Sequence, residues 1–170
     1  LLPDAYTELG KSVVGVAALI SNVHFFVNTG YFATAAEEMP LLHTWSLAVE
    51  EQFYLFVPLL LFLLYRYTSK LNCRRAILLL GVASLVLSVY SISWNASATF
   101  YLLPTRAWEL FAGCMLALYD KPKVREKRLR DEYIAWGGLL LIVVPYFIYT
   151  KETLFPGLSA VPPVLGTVVL

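Results

Sequence analysis

Five apolar runs recur along this chain, each close to the length that a helix needs to cross lipid. They are Ser12 to Val27, Leu47 to Tyr65, Ala76 to Trp94, Leu102 to Tyr119 and Tyr133 to Tyr149; a sixth, Leu158 to Leu170, ends with the sequence. A crossing helix uses about 20 predominantly apolar residues. In hydrocarbon an open strand leaves its backbone unsatisfied, so runs of this kind form helices. The expected fold class is therefore all-α: a polytopic transmembrane helix bundle with five full spans and a truncated sixth. Composition agrees, because 59% of the 170 residues are hydrophobic and the mean hydropathy is +0.67. A soluble domain of this size buries only about 70% of its surface and could not hide so much apolar area. Aromatic residues gather near the ends of the runs (Phe25, Phe26, Tyr31, Phe32, Trp45, Trp94, Phe100, Tyr101), as in interfacial belts.

The net charge of +1 argues for neither a nucleic-acid partner nor an acidic surface. Its distribution is more informative. Ten of the 13 Lys and Arg residues fall in two connections, Arg66 to Arg75 and Lys121 to Arg130. Two spans separate them, so both face one side, and the positive-inside rule places loops 66–75 and 120–132 in the cytoplasm. Loops 28–44 and 95–101 are then extracytoplasmic, as is the connection at Lys151 and Glu152. The run KPKVREKRLRDE interleaves acids with its bases and reads as a solvated loop that touches anionic lipid. Pro58, Pro162 and Pro163 fall inside apolar runs, where proline removes a helical hydrogen bond and favours a bend. Cys73 and Cys114 lack any paired spacing and are expected to be free thiols.

Two groups of ionisable residues lie against or within the runs. Placing a carboxylate at the bilayer centre costs roughly 2.5 to 3.5 kcal/mol on insertion scales, so such a residue needs a partner or a task. His43 and Glu50 are seven residues apart and share a helical stripe with Ser46 and Phe53, whereas Glu51 points about 100° away. A carboxylate on that stripe can orient an imidazole or bind a hydroxyl. It can equally hold two helices together, with His43 and Trp45 as interfacial anchors. Arg106 and Glu109 are three apart and can pair on one face. As a structural pair they lower each other's burial cost; as a functional one, Arg106 presents its planar fork of donors to a substrate. Pro104 suits a helix start, and Gly113 is expected to let another helix approach closely. His24 reads as a satisfied polar residue near an interface. No phosphate loop, HExxH zinc helix, CxxC pair or GxSxG elbow occurs, so no metal site or bound cofactor is expected.

The strings SNVHFFVNTGYF, PLLHTWSLAVEEQFYLFVPLLL, FYLLPTRAWELFAGCMLAL and FPGLSAVPPVLGT resemble successive landmarks of the membrane-bound acyltransferase 3 family, the bacterial O-acyltransferases of glycans. The resemblance implies an inner (plasma) membrane, multi-pass enzyme that uses acyl-CoA, with acetyl-CoA the expected donor. It implies delivery of the acyl group to a hydroxyl of a cell-surface glycan such as lipopolysaccharide or peptidoglycan. His43, Trp45, Ser46, Glu50 and Tyr54 match one family string, and Arg106 and Glu109 the other. On that basis Glu50 is expected to be catalytic with His43 in support, while Arg106, Glu109, Trp45, Ser46 and Tyr54 contact substrate. The family's essential histidine would lie before Leu1, so residues 1–170 are expected to be an internal piece of one such domain, inactive alone. The competing class is a transporter or flippase whose buried charges form a substrate or proton path.

Overall fold

The computed structural model describes residues 3–29, 41–118, 129–150 and 152–170. These form eight α-helices: α1 (Pro3–Ala17), α2 (Ser21–Thr29), α3 (Thr44–Tyr67), α4 (Lys70–Ser91), α5 (Ala96–Tyr101), α6 (Leu103–Leu118), α7 (Leu129–Ile148) and α8 (Val161–Val169). A 3-10 turn, Gly157–Ala160, precedes α8. There is no strand among the described residues. The basic run Lys121 to Arg128 and the acidic pair Glu37 and Glu38 lie outside them.

Among the described residues three helices are long and apolar enough to cross a membrane: Thr44–Tyr67, Lys70–Ser91 and Asp131–Ile148. They correspond to the second, third and fifth apolar runs. The other runs differ from expectation, each for a local reason. Ser12 to Val27 is not one helix, because the chain turns back at Ala18 to Ile20. Leu19 adopts a left-handed conformation (φ 58°), with Ile20 N–H bonded to Gly15 C=O (2.9 Å) and Leu19 N–H to Val16 C=O (3.0 Å). That pair of bonds is a Schellman ending, here with leucine where glycine is usual. α2 then folds against α1, so that Ser12 meets His24. The fourth run begins one residue after α5 and gives the 16 residues of α6, about 24 Å of helix. The sixth divides into the 3-10 turn and the nine residues of α8. Pro162 lies in the first turn of α8, where a missing N–H has no cost, so these prolines start a helix rather than bend one. α3 runs unbroken through Pro58.

α4 and α6 pack antiparallel over most of their length. At one end the Arg74 guanidinium donates to the last α6 carbonyl, Leu118 C=O, through Nε (2.9 Å) and Nη2. Further along, a Cβ on Gly81 would touch Phe111 at 3.4 Å. The Ser84 hydroxyl donates to Pro104 C=O (2.6 Å) and accepts from Trp108 N–H (3.0 Å). Those two backbone groups are i and i+4 of α6, so a side chain from α4 is bonded into the ladder of its neighbour. α3 joins this pair through Phe53, Val57, Ile77, Ala107 and Phe111, which form the buried core; the Phe53 and Phe111 rings meet edge-on at 5.1 Å. Arg74 and Arg75 stand inside α4 rather than in a loop, because Thr68 and Ser69 alone connect α3 to α4. Cys73 is buried, Cys114 is half-buried, and both are free thiols.

α7 and α8 pack through glycine. A Cβ on Gly166 would lie 2.6 Å from Gly138 O, and one on Gly138 would lie 3.0 Å from Gly166 O. This is close packing of two backbones at small residues. Gly113, from which such contact was expected, has nothing within 4 Å of its Cβ position.

Candidate active site

The stripe read from the sequence is present on α3, and it divides between two environments. Phe53 enters the core, while Ser46 and Glu50 turn toward the start of α6. With Trp45, Val49, Arg106, Glu109 and Leu110 they line a cavity of about 70 Å³. A larger hollow of about 620 Å³ borders α1 and α2, and an apolar one of about 200 Å³ borders α4, α6 and α8. The small cavity is the one in which a carboxylate, a guanidinium and a hydroxyl converge, so it is the candidate site.

Arg106 and Glu109 form a two-point ion pair, with Nε to Oε1 at 3.1 Å and Nη2 to Oε2 at 2.6 Å. Their side chains retain only 16% and 20% of their exposure, so the pairing offsets a desolvation that neither charge could bear alone. The guanidinium also lies 5.0 Å from the Trp45 ring centroid and 5.7 Å from that of Phe100. Both contacts are cation–π range. Trp45 packs in turn against Phe100 (4.6 Å) and Tyr101 (5.4 Å). α5 thus supplies two rings that hold Trp45, and Trp45 holds Arg106. The short break at Leu102, whose backbone is extended, separates these two jobs onto different helices. Thr105, buried at the α6 start, secures the corner by donating to Thr99 C=O (2.9 Å) and Leu102 C=O (2.8 Å).

Glu50 is half-buried and lines the cavity, yet no hydrogen bond or ion pair engages its carboxylate among the described residues. The two glutamates and one arginine give the cavity a formal charge of −1. Five N–H donors belong to a guanidinium, and Glu109 occupies two of them. The site therefore presents a free carboxylate acceptor beside a fixed cation with donors to spare. Among the described residues Ser46 Oγ reaches only His43 C=O, at 3.4 Å.

The remaining expected residues are placed elsewhere. His43 is exposed at the α3 N-cap position, makes no side-chain capping bond and does not line the cavity. Tyr54 is 58% exposed, and its ring lies edge-on to Phe53 at 6.4 Å. His24 is bonded from both sides, with Ser12 Oγ at 3.4 Å from Nε2 and Asn28 Nδ2 at 3.2 Å from Nδ1. Among the described residues no group of three or more His, Cys, Asp or Glu could hold a metal.

Sequence reasoning placed Phe100 only in an interfacial belt and missed the pairing of the buried Asn22 amide with the half-buried Gln52 amide, which links α2, α3 and α5. A signal was available, since an amide in an apolar helix costs several kcal/mol unless another group satisfies it.

Comparison with known proteins follows the same residues. The model of a family described as an acyltransferase domain matches residues 9–169. An uncharacterized protein of Haemophilus influenzae is 29% identical over 97% of this chain and 71% of its own length. The O-acetyltransferase OatA of Staphylococcus aureus is 29% identical over 86% of this chain. This chain spans only about a quarter of OatA, 26% of its length. No solved structure is a significant match. By the family match over nearly its whole length, the chain belongs to the acyltransferase 3 family.

Proposed function

We propose that the complete protein is an integral membrane O-acyltransferase that moves an acetyl group from acetyl-CoA to a hydroxyl of a cell-surface glycan, and that the Glu50 cavity receives that hydroxyl. The unengaged Glu50 carboxylate carries this reading. A cavity with net negative charge disfavours an anion, so the phosphates of the donor bind elsewhere and a neutral hydroxyl suits the space. About 70 Å³ corresponds to roughly two waters at ~30 Å³ each. A hydroxyl and the carbon that bears it fit, while the sugar ring remains at the mouth.

The reaction joins the acceptor oxygen to the thioester carbonyl carbon and breaks its bond to sulfur. The hydroxyl proton passes to a base and coenzyme A leaves as the thiol. Glu50 accepts the hydrogen bond from the acceptor hydroxyl and orients it for attack. The Arg106 donors not used by Glu109 stabilise charge that develops on the carbonyl oxygen, and they do so strongly because the site is partly desolvated. Glu109 keeps the guanidinium fixed, so little reorganisation is needed as that charge forms. The two basic connections face the cytoplasm, where acetyl-CoA is found, and the α3 N-terminal end faces outward. Proximity of Arg74 to Leu118 C=O supports one side for both, since the second basic run begins just beyond Leu118.

The test is alkali-labile acetate in the envelope glycans of cells that carry the complete protein, at matched membrane levels. Glu50→Gln and Arg106→Lys are each expected to lower it by at least tenfold. Wild-type acetate in both variants would remove the cavity from the reaction. Substrate moved across the membrane without acetylation would favour a transporter instead.

A further inference from the structure

Asn22 is 1% exposed in a helix that carries none of the residues placed at the site. Its amide meets that of Gln52 on α3. Gln52 Nε2 donates to Asn22 Oδ1 (2.8 Å) and to Leu19 C=O (2.8 Å). Asn22 Nδ2 donates to Tyr101 C=O (3.1 Å) and, at a longer 3.5 Å, to Gln52 Oε1. All four amide hydrogens therefore have acceptors, and the arrangement has one orientation. Turning either amide over would place its oxygen against a backbone carbonyl oxygen. A fully satisfied polar network around a buried side chain such as Asn22 makes a unique geometry, and Gln52 completes it from a half-buried position.

The pair ties α3, whose Trp45, Ser46, Val49 and Glu50 form one wall of the cavity, to the end of α5, which leads through Leu102 into α6 and the opposite wall of Arg106, Glu109 and Leu110. Gln52 is two residues from Glu50 on α3. Tyr101 ends α5 and, with Phe100, packs on Trp45, which lies against the Arg106 guanidinium. Leu19 is the left-handed residue at the α1–α2 reversal, and the bond from Gln52 gives its carbonyl a partner. We propose that Asn22 and Gln52 are positioning residues: as a reciprocal amide pair they set the spacing between the α3 wall of the cavity, which carries Trp45 and Glu50, and the α6 wall, which carries Arg106 and Glu109. The catalytic part of this inference rests on the function proposed above, whereas the spacing itself does not. A cavity of about 70 Å³ leaves little slack, and displacement of about 1 Å can cost about 100-fold in rate.

Gln52→Glu and Asn22→Asp replace the amide nitrogen by oxygen at nearly constant shape, and each sets oxygen against two oxygens. The exchange variant Asn22→Gln/Gln52→Asn keeps both amides and moves one methylene across the pair. Two readouts apply to the complete protein at matched membrane levels. One is alkali-labile envelope acetate. The other is the rate at which a membrane-impermeant maleimide labels Ser46→Cys in open membrane fragments, with Cys73→Ala and Cys114→Ala as background. Each single variant is expected to lower acetate at least tenfold and to raise the labelling rate at least threefold, and the exchange variant to return both to within about threefold of wild type. A merely structural role would lower protein level and melting temperature without a change in labelling of the folded fraction. Unchanged labelling in both single variants overturns the proposal. If a single variant fails to accumulate, the exchange variant decides, and loss of acetate with loosened labelling there overturns it. Wild-type acetate in Glu50→Gln and Arg106→Lys alongside faster labelling in Gln52→Glu would refute the proposed reaction while the spacing role stands.

Discussion

Alanine at Gly166 and alanine at Gly113 should move stability in opposite directions, although both replace a glycine inside a helix. Glycine costs a helix interior about 0.8 to 1.0 kcal/mol relative to alanine, so each substitution starts with a gain of that size. At Gly113 nothing lies within 4 Å of the new Cβ, and the gain of about 1 kcal/mol survives. At Gly166 the Cβ would stand 2.6 Å from Gly138 O and 2.8 Å from Ile142 Cγ1. The first is a backbone atom in the middle of α7, which cannot rotate away, so α7 and α8 must part by most of an ångström. Overpacking of this kind costs about 1 to 3 kcal/mol, and separation also loosens the apolar contacts between the two helices. The net expectation is a loss of about 1 to 2 kcal/mol for Gly166→Ala, a gap of roughly 2 to 3 kcal/mol between the variants. At about 2 to 4 °C per kcal/mol for a chain of this size, the melting temperatures of the purified proteins in one detergent should differ by roughly 5 to 10 °C. A Gly166→Ala protein as stable as Gly113→Ala would refute the α7–α8 contact.

Two further outcomes follow from the site and its support. Glu109→Gln retains one acceptor for Arg106 but removes the countercharge, and hydrogen bonds to charged groups contribute about 1.5 to 3 kcal/mol. With both side chains mostly withdrawn from solvent, it should destabilise by about 2 kcal/mol, and a double-mutant cycle with Arg106→Gln should recover much of that loss; additive losses would count against the pair. Ser84→Ala leaves Pro104 C=O and Trp108 N–H without the α4 hydroxyl and should cost about 1 to 2 kcal/mol, read as denaturant midpoint. No shift there would mean that the α6 ladder closes on itself.

The part of the site that lies within a single helix was legible from spacing. Residues three apart meet on one face, and Arg106 and Glu109 do so. Residues 46, 50 and 53 share a stripe, and the structure gives that stripe to one side of α3. His43, by contrast, lies at the end of the helix, where the 3.6-residue period no longer governs direction, and it is exposed. Contacts from elsewhere in the chain had no such period to reveal them. Phe100 against Trp45 and Asn22 against Gln52 each depend on where α5 and α2 dock. The reversal at Leu19 was hidden because leucine occupies the position where glycine would have announced a Schellman ending. Gly113 and Gly166 could not be told apart, since what matters is the atom that faces each from another helix.

Apolar run length and the interruption by charge determined, from the sequence by itself, that this chain is helical and suited to lipid; its motif strings determined its family. Backbone hydrogen bonding inside a helix is local, so those properties need only neighbouring residues. Tertiary structure alone decided which polar side chains share a cavity, which helices double back and which glycines are irreplaceable. These depend on the docking of segments far apart in the chain, where packing and the need to satisfy every buried polar group select one arrangement.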